Sequence, residues 1–334
     1  MPRAAEEQKA SPLFSAIAKT SRNLIRCSIL WVMIIVQNVP SSQRDGVIDN
    51  VETKGIVLMQ GRNRLGIFSW FGFVLPLPER LRLIKEAGFD AVSIWWEDEM
   101  GNPPIKKEYF SDMVKDSGLI LENIHVPFNE SNDLWSEQKI RREERIKEHI
   151  AWIEDCARHG IPMMVMHLTE GLAPPEPNRY GIESLLSITR RAEEAGVKIA
   201  IENTRREDNV PFVLREIQSA YLGCCFDSSH ANLYRDKGEY LSKQFGNRLL
   251  ATHLSDNDGI EDRHWLPGNG LIDWQKLQES LTLNSYDGYL TLEIYPNQEE
   301  IRGKPKMFIE KAFQSLSKVA GGFAMSHKDS PRIY

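Results

Sequence analysis

From residue 65 onward the chain repeats one pattern eight times, a short apolar β-rich run followed by a polar or helical stretch. The runs cover residues 65–70, 91–95, 121–126, 163–168, 197–202, 221–227, 249–254 and 289–294. Between them, segments such as 79–87, 140–157, 182–195 and 274–283 carry apolar residues at three- and four-residue spacing, the period of a half-buried helix. Gly88, Gly118, Gly160 and Gly196 stand just before strands, where a helix ends. Strands that are apolar on both faces belong to a parallel sheet covered by helices. Eight such units over about 260 residues predict an α/β chain folded as a closed (β/α)8 TIM barrel, a single domain. The competing open Rossmann-like sheet lacks support: no GxGxxG follows the first strand, and no GxxxxGK[ST] occurs anywhere.

Composition sets the boundaries of that domain. The chain has 334 residues and is 41% hydrophobic, which excludes a disordered chain and a disulfide-stapled miniprotein. Residues 1–60 lack a long amphipathic pattern and are expected to be a poorly ordered extension or a segment upstream of the native start, with Met59 or its neighbourhood as that start. Their apolar run, 27–36, follows Lys19, Arg22 and Arg26. It is too short to span a bilayer, and no small-x-small cleavage site follows it as in an export signal. The barrel is assigned to 61–322 and a tail to 323–334. Residues 59–334 carry 34 basic against 42 acidic side chains. Such a balance gives no general attraction to nucleic acid or to an anionic membrane. The basic stretch Arg141, Arg142, Arg145 and Lys147 is interleaved with Glu143, Glu144 and Glu148, as on a solvated helix face. Four cysteines (Cys27, Cys156, Cys224, Cys225) form no CxxC, so a reducing cytoplasm is the expected compartment.

In a barrel the active site lies at the C-terminal ends of the strands. Six of the eight runs close on, or just before, a metal-ligand type: His125, His167, Glu202, Asp227, His253 and Glu293. His230 follows Asp227 by three, and Asp262 and His264 lie in the loop after the seventh strand. Any one of these histidines reads most simply as a hydrogen-bonded core or loop residue. Together they do not, because so many ionisable groups at one mouth are costly to bury unless a cation or ligand pairs them. Carboxylates mixed with imidazoles suit a divalent metal such as Mn2+, Zn2+, Co2+ or Mg2+. His149, His159 and His327 fall outside this set and read as solvated or structural. Trp70, Trp95 and Trp96, near the first two strand ends, read equally as packing or as an aromatic wall for a sugar face or a base. Trp70 and Trp95 are carried forward with His125 and His230 as candidate substrate contacts.

The segments Ile201-Glu202-Asn203, Phe226-Asp227-Ser228-Ser229-His230, Thr252-His253-Leu254-Ser255-Asp256, Leu292-Glu293 and the stretch 262–274 around Pro267-Gly268-Asn269-Gly270 carry a resemblance. Over about residues 64–320 the chain resembles the xylose-isomerase-like barrel superfamily of sugar-phosphate isomerases and epimerases, inositol-catabolic enzymes and endonuclease IV-type nucleases. The ketose epimerase branch implies one divalent ion on Glu202, Asp227, His253 and Glu293, with Glu202 and Glu293 moving a proton on opposite faces of the carbon beside a carbonyl. His230 then binds a substrate hydroxyl. The chain departs from that branch in having Asp256, Asn257 and Asp258 where an Arg is expected after His253. The nuclease branch implies three zinc ions on nine residues, adding His125, His167, His230, Asp262 and His264. A DNA-cleaving site needs positive charge beside it. The loops here are acidic or neutral, as at Glu97-Asp98-Glu99 and Asp256 to Asp262. The expectation is therefore a metal-dependent isomerase or epimerase of a sugar, sugar acid or cyclitol, acting through an enediolate. The alternatives are an abasic-site DNA nuclease and a ketocyclitol dehydratase. Intact carboxylate pairs argue against a non-catalytic scaffold. The resemblance also implies a homo-oligomer; no nucleic-acid or membrane partner is expected.

Overall fold

The structure, a computed structural model, describes residues 64–206, 208–234 and 245–326. The readings made for the extension at 1–60, for Cys27, for His327 and for most of the tail at 323–334 lie outside the described residues. Eight parallel strands run β1 (Leu65–Phe68), β2 (Ala91–Trp95), β3 (Ile120–His125), β4 (Met163–His167), β5 (Lys198–Glu202), β6 (Leu222–Asp227), β7 (Leu249–His253) and β8 (Leu290–Leu292). The helices among them are α1 (Leu77–Ala87), α2 (Phe110–Asp116), α3 (Lys139–His159), α4 (Arg179–Ala195), α5 (Asn209–Glu216), α6 (Ser228–Tyr234), α7 (Trp274–Leu283) and α8 (Pro305–Ser326). Strand order is sequential from β1 to β7, with β8 beside β1, as in a barrel. All eight expected strands are present, and 91–95 matches end to end. Helices α2, α5 and α6, of 7, 8 and 7 residues, are too short to display a period and were not singled out in the sequence.

The barrel closes nearly all the way round, and its last seam is of a different kind. Between β7 and β8 the ladder shrinks to a single bridge, Leu254 with Leu292. The Thr252 hydroxyl takes over part of its work, donating to the Tyr289 carbonyl at 3.0 Å and accepting from the Thr291 N–H at 3.2 Å. That explains why the expected run 289–294 contracts to Leu290–Leu292.

Side-chain alternation then fixes what the mouth contains. Val165, Ala200, Cys225 and Ala251 form a small apolar cluster of their own. Each lies two residues before His167, Glu202, Asp227 or His253, so the polar residue projects from the same strand face as the small one. The intervening Met166, Ile201 and Phe226 join the large core. Gly160 and Gly196 end α3 and α4 in the left-handed region, at φ 67° and 70°, where a Cβ is disfavoured. Among the described residues no helix is long and apolar enough to cross a membrane.

Candidate metal centre and active site

The strand ends bring the expected ligands to one place. Glu202 closes β5, Asp227 closes β6, His253 closes β7, and Glu293 follows β8 by one residue. The first three are at most 1% exposed. Glu202 and Glu293 each set an Oε2 atom 3.0 Å from the same His253 Nδ1. His125, at the end of β3, sets Nε2 3.2 Å from Glu202 Oε2, and His167, at the end of β4, approaches the same oxygen at 3.5 Å. Beside this inner cluster lies an outer one. His230, on α6, and His264, in the β7–α7 loop, direct Nε2 to one oxygen, Asp262 Oδ2, at 3.1 and 3.0 Å. The nine ligand-type residues read from the sequence are thus gathered around one mouth. Eight of them fall into three groups whose candidate ligand atoms lie within 4.8 Å of one another: His125, Glu202 and His253; Glu202, Asp227, His253 and Glu293; and His230, Asp262 and His264. His167 adjoins the first group through Glu202.

Three histidines are held by the same device. Nδ1 of His125, His230 and His264 lies 2.9 Å from the main-chain carbonyl of Val126, Asn203 and Glu293 respectively. A carbonyl only accepts, so each Nδ1 carries the proton and each Nε2 presents its lone pair in the neutral ring. That lone pair faces a carboxylate oxygen, an arrangement that needs a proton or a cation between the two. The inner cluster has an orphan as well: Asp227 Oδ2 is buried without a hydrogen-bond partner.

The acid side of the mouth shows the same tension. Burial pushes Asp227 up to about 7, aided by the charges of Glu202, Glu293 and Asp262 and opposed by His230. Burial also works to raise Glu293 and Glu202, but the His253 ring outweighs it and holds Glu293 down at about 2 and Glu202 well below the ordinary range. Burial lowers His264, yet Asp262 and Glu293 bring it up to about 9. His167 is lowered by burial, against the pull of Glu202.

Four of the five histidines at the mouth rest on an aromatic ring, and three of those rings have no counterpart in the sequence reading. His125 stacks on Trp95 at 5.3 Å, His167 on Phe128 at 4.4 Å, His230 on Tyr234 at 6.2 Å, and His264 tilts against Tyr295 at 4.9 Å. The signal was spacing: Phe128 is three residues after His125, Tyr295 two after Glu293, and Tyr234 four after His230 on one helix face. Trp96 is core, 1% exposed, with Nε1 donating to Asp155. Trp70 is half-buried beneath the Arg80 guanidinium, 5.3 Å from its ring centre.

Three polar residues to which the sequence assigned no role support the site. Asn203 exchanges hydrogen bonds with the Asp227 backbone, donating at 2.9 Å and accepting at 2.8 Å. The Ser229 hydroxyl donates to Asp262 Oδ1 at 2.7 Å, and Asn257 donates to the Ser229 oxygen at 2.7 Å. The loop that carries Asp262 and His264 is itself pinned by Asp256. Its carboxylate accepts from the N–H groups of Asn257, Gly268 and Ile272 and from Trp274 Nε1 at 2.9–3.1 Å. Gly270 lies so close to Asp256 and Asn257 that a Cβ has no room there.

A profile of the family described as xylose isomerase-like TIM barrel matches residues 81–311. The chain belongs to that family. Among relatives of this xylose isomerase-like barrel, an uncharacterized protein of Methanocaldococcus jannaschii is 25% identical over 260 residues, covering 72% of this chain and 87% of that protein. The fructoselysine 3-epimerase of Escherichia coli O157:H7 is 22% identical over 274 residues, covering 75% of this chain and 96% of that protein. The fold is shared with an L-ribulose 3-epimerase structure at a TM-score of 0.65 and 17% identity, over 82% of this chain and all of that one.

Proposed function

We propose that this xylose isomerase-like barrel is a divalent-metal-dependent isomerase or epimerase of a sugar, sugar acid or cyclitol, acting through an enediolate. The observation that carries the reading is the convergence of two glutamates, from β5 and β8, on one buried histidine nitrogen at 3.0 Å. One carboxylate removes the proton beside a carbonyl; return of a proton by the other, from the opposite face, inverts that carbon. Both are held below the ordinary carboxylate range, which suits the one that accepts; the other must first take up, from solvent or a substrate hydroxyl, the proton it returns. The Nε2 atoms of His125, His230 and His264 that face carboxylates, and the orphaned Asp227 Oδ2, fit a cation in place of the protons. Glu202, Asp227, His253 and Glu293 would hold it. Such an ion supplies polarisation of the substrate carbonyl and stabilisation of developing negative charge. Trp95 offers an apolar face beside His125 for the sugar ring. The names of the epimerase relatives support the substrate class. We place the protein in the cytoplasm, on its cysteine usage.

A second reading, the abasic-site nuclease, is favoured by the third ligand group, His230, Asp262 and His264. The acidic loops oppose it. Elemental analysis of the purified protein and exchange of solvent deuterium into a ketose separate the two. About one Mn2+ or Co2+ per chain with deuterium incorporation is the expected result. About three zinc per chain with cleavage of abasic duplex overturns it in favour of the nuclease.

A further inference from the structure

Three residues beyond the Glu202 carboxylate, the mouth holds an arginine that the proposed chemistry does not use. Arg205 is exposed, and its guanidinium carbon sits 5.4 Å from the centre of the Tyr234 ring. Tyr234 in turn stacks on His230 at an interplanar angle of 27°. Arg205 therefore stands one ring beyond the outer ligand cluster.

The loop that carries it is fixed on both sides. Asn203 is bound twice to the Asp227 backbone, and its carbonyl accepts from His230 Nδ1. Arg206 is held by Glu176 and by Asp208 at 3.0 Å. Arg206 shows what a structural arginine in this loop looks like, with carboxylates on two sides. Other arginines around the mouth follow it: Arg80 pairs with Glu99, Arg145 with Glu130 and Glu148, and Arg263 with Asp258 and Glu261. Arg205 has, among the described residues, a ring under its face and no carboxylate partner. A guanidinium stacked on a ring keeps its in-plane N–H fork available, in the geometry that matches a carboxylate or phosphate bidentately.

We propose that Arg205, seated on Tyr234, is an anion subsite of the catalytic mouth, and that the substrate is a ketose carrying a phosphate or carboxylate away from its reacting carbon. The proposal rests on the isomerase reading of the site.

Three probes differ only at the sixth carbon: D-fructose, D-fructose 6-phosphate and D-fructuronate. Their binding to the metal-loaded full chain is measured by calorimetry at low ionic strength, where an exposed cation is least screened. At least one of the two anionic ketoses is expected to bind about tenfold tighter than D-fructose. Which of them does so identifies the anion. In Arg205→Gln the ratio is expected to fall to near one. Equal binding of all three probes to the wild type, or an advantage that survives in Arg205→Gln, overturns the subsite and leaves the isomerase reading standing. If none of the three binds while inorganic phosphate alone is retained by the wild type and lost in Arg205→Gln, the ketose reading falls and the anion subsite stands. If phosphate fails to bind as well, the subsite is overturned.

Discussion

The two clusters of candidate ligands at the mouth are built by different means. Glu202, Asp227 and His253 end strands that are in register with their neighbours: His167 pairs with Glu202 across β4 and β5, and Asp227 with His253 across β6 and β7. Their positions are set by the same ladder that closes the barrel. Asp262 and His264 belong to a loop, and His264 adopts a left-handed backbone at φ 49°, sparsely populated for a residue with a Cβ. What holds them is a set of hydrogen bonds from Asp256, Ser229 and Asn257. The inner cluster can be lost only with the fold or by changing the ligand itself. The outer one can be released alone.

The largest effect is expected at the shared residue. Glu202 faces His125, His167, His230 and His253 and belongs to two of the three candidate ligand groups. Glu202→Gln is expected to lower ketose deuterium exchange on the order of 10³-fold, with an unchanged circular dichroism spectrum. Full exchange in that variant ends the assignment of Glu202 as a proton carrier. Next comes Asp256→Ala, which deprives three main-chain N–H groups and the Trp274 indole of the buried carboxylate they share. A loss of about 3 kcal/mol in urea unfolding is expected. With Zn2+ titrated in excess, binding at His230, Asp262 and His264 should be lost while the one ion held at the strand ends remains. Loss of both together would show that the two clusters are one cooperative unit.

This division also explains what could be read from the chain. Strand ends are legible because a two-residue alternation announces which side chains enter the barrel, so Glu202, Asp227 and His253 follow from Ala200, Cys225 and Ala251. Glu293 and His125 follow by the same logic. Support from the second layer is not periodic. Ser229 and Asn257 meet only because α6 and the β7–α7 loop fold against each other, and no local pattern encodes that meeting. The aromatic rings lie between these cases. Phe128 and Tyr295 sit at short fixed distances from ligands, yet nothing in those spacings says which ring a histidine will stack on. Trp95 and Trp96 make the point in adjacent residues, since one faces the site histidine and the other the helices.

Glu122 extends the comparison downward, from the mouth into the barrel interior. The β2–β3 register shifts at this point, Val92 pairing with Leu121 and Ser93 with Asn123, which leaves Glu122 as a bulge residue. Its carboxyl accepts from the Thr291 hydroxyl across the barrel. Burial pushes it up to about 7, against the hydroxyl and the His253 charge. Mouth glutamates with histidine neighbours go down, and this one, with a threonine, goes up. Because the folded value lies above the ordinary 4.5, the folded chain holds this proton to higher pH than the unfolded chain. The contribution is full below pH 4.5 and is lost as pH rises through 7, worth about 3 kcal/mol from end to end. In Glu122→Gln that part of the pH dependence should vanish, measured as urea midpoints at pH 5 and pH 8. An unchanged dependence would place the titrating group elsewhere.

The smallest change gives the finest cut between the two clusters. Ser229 is fully buried, yet its hydroxyl touches no candidate inner ligand. It donates to Asp262 Oδ1, leaving Oδ2 to the two histidine nitrogens, and it accepts from Asn257 in turn. Ser229→Ala removes one charge-assisted hydrogen bond and leaves the carboxylate free to rotate. Second-layer partners of this kind set ligand orientation, so affinity at the outer cluster should fall by about tenfold. The inner cluster, whose geometry comes from strand pairing, should keep its affinity. Competition with a metal-sensitive dye, titrated with Zn2+ or Mn2+, reads the two classes of site separately. Weakening confined to one class supports independent construction, whereas an equal loss at both would mean that Asp262 reports through His230 to Glu202, 3.3 Å from the same ring.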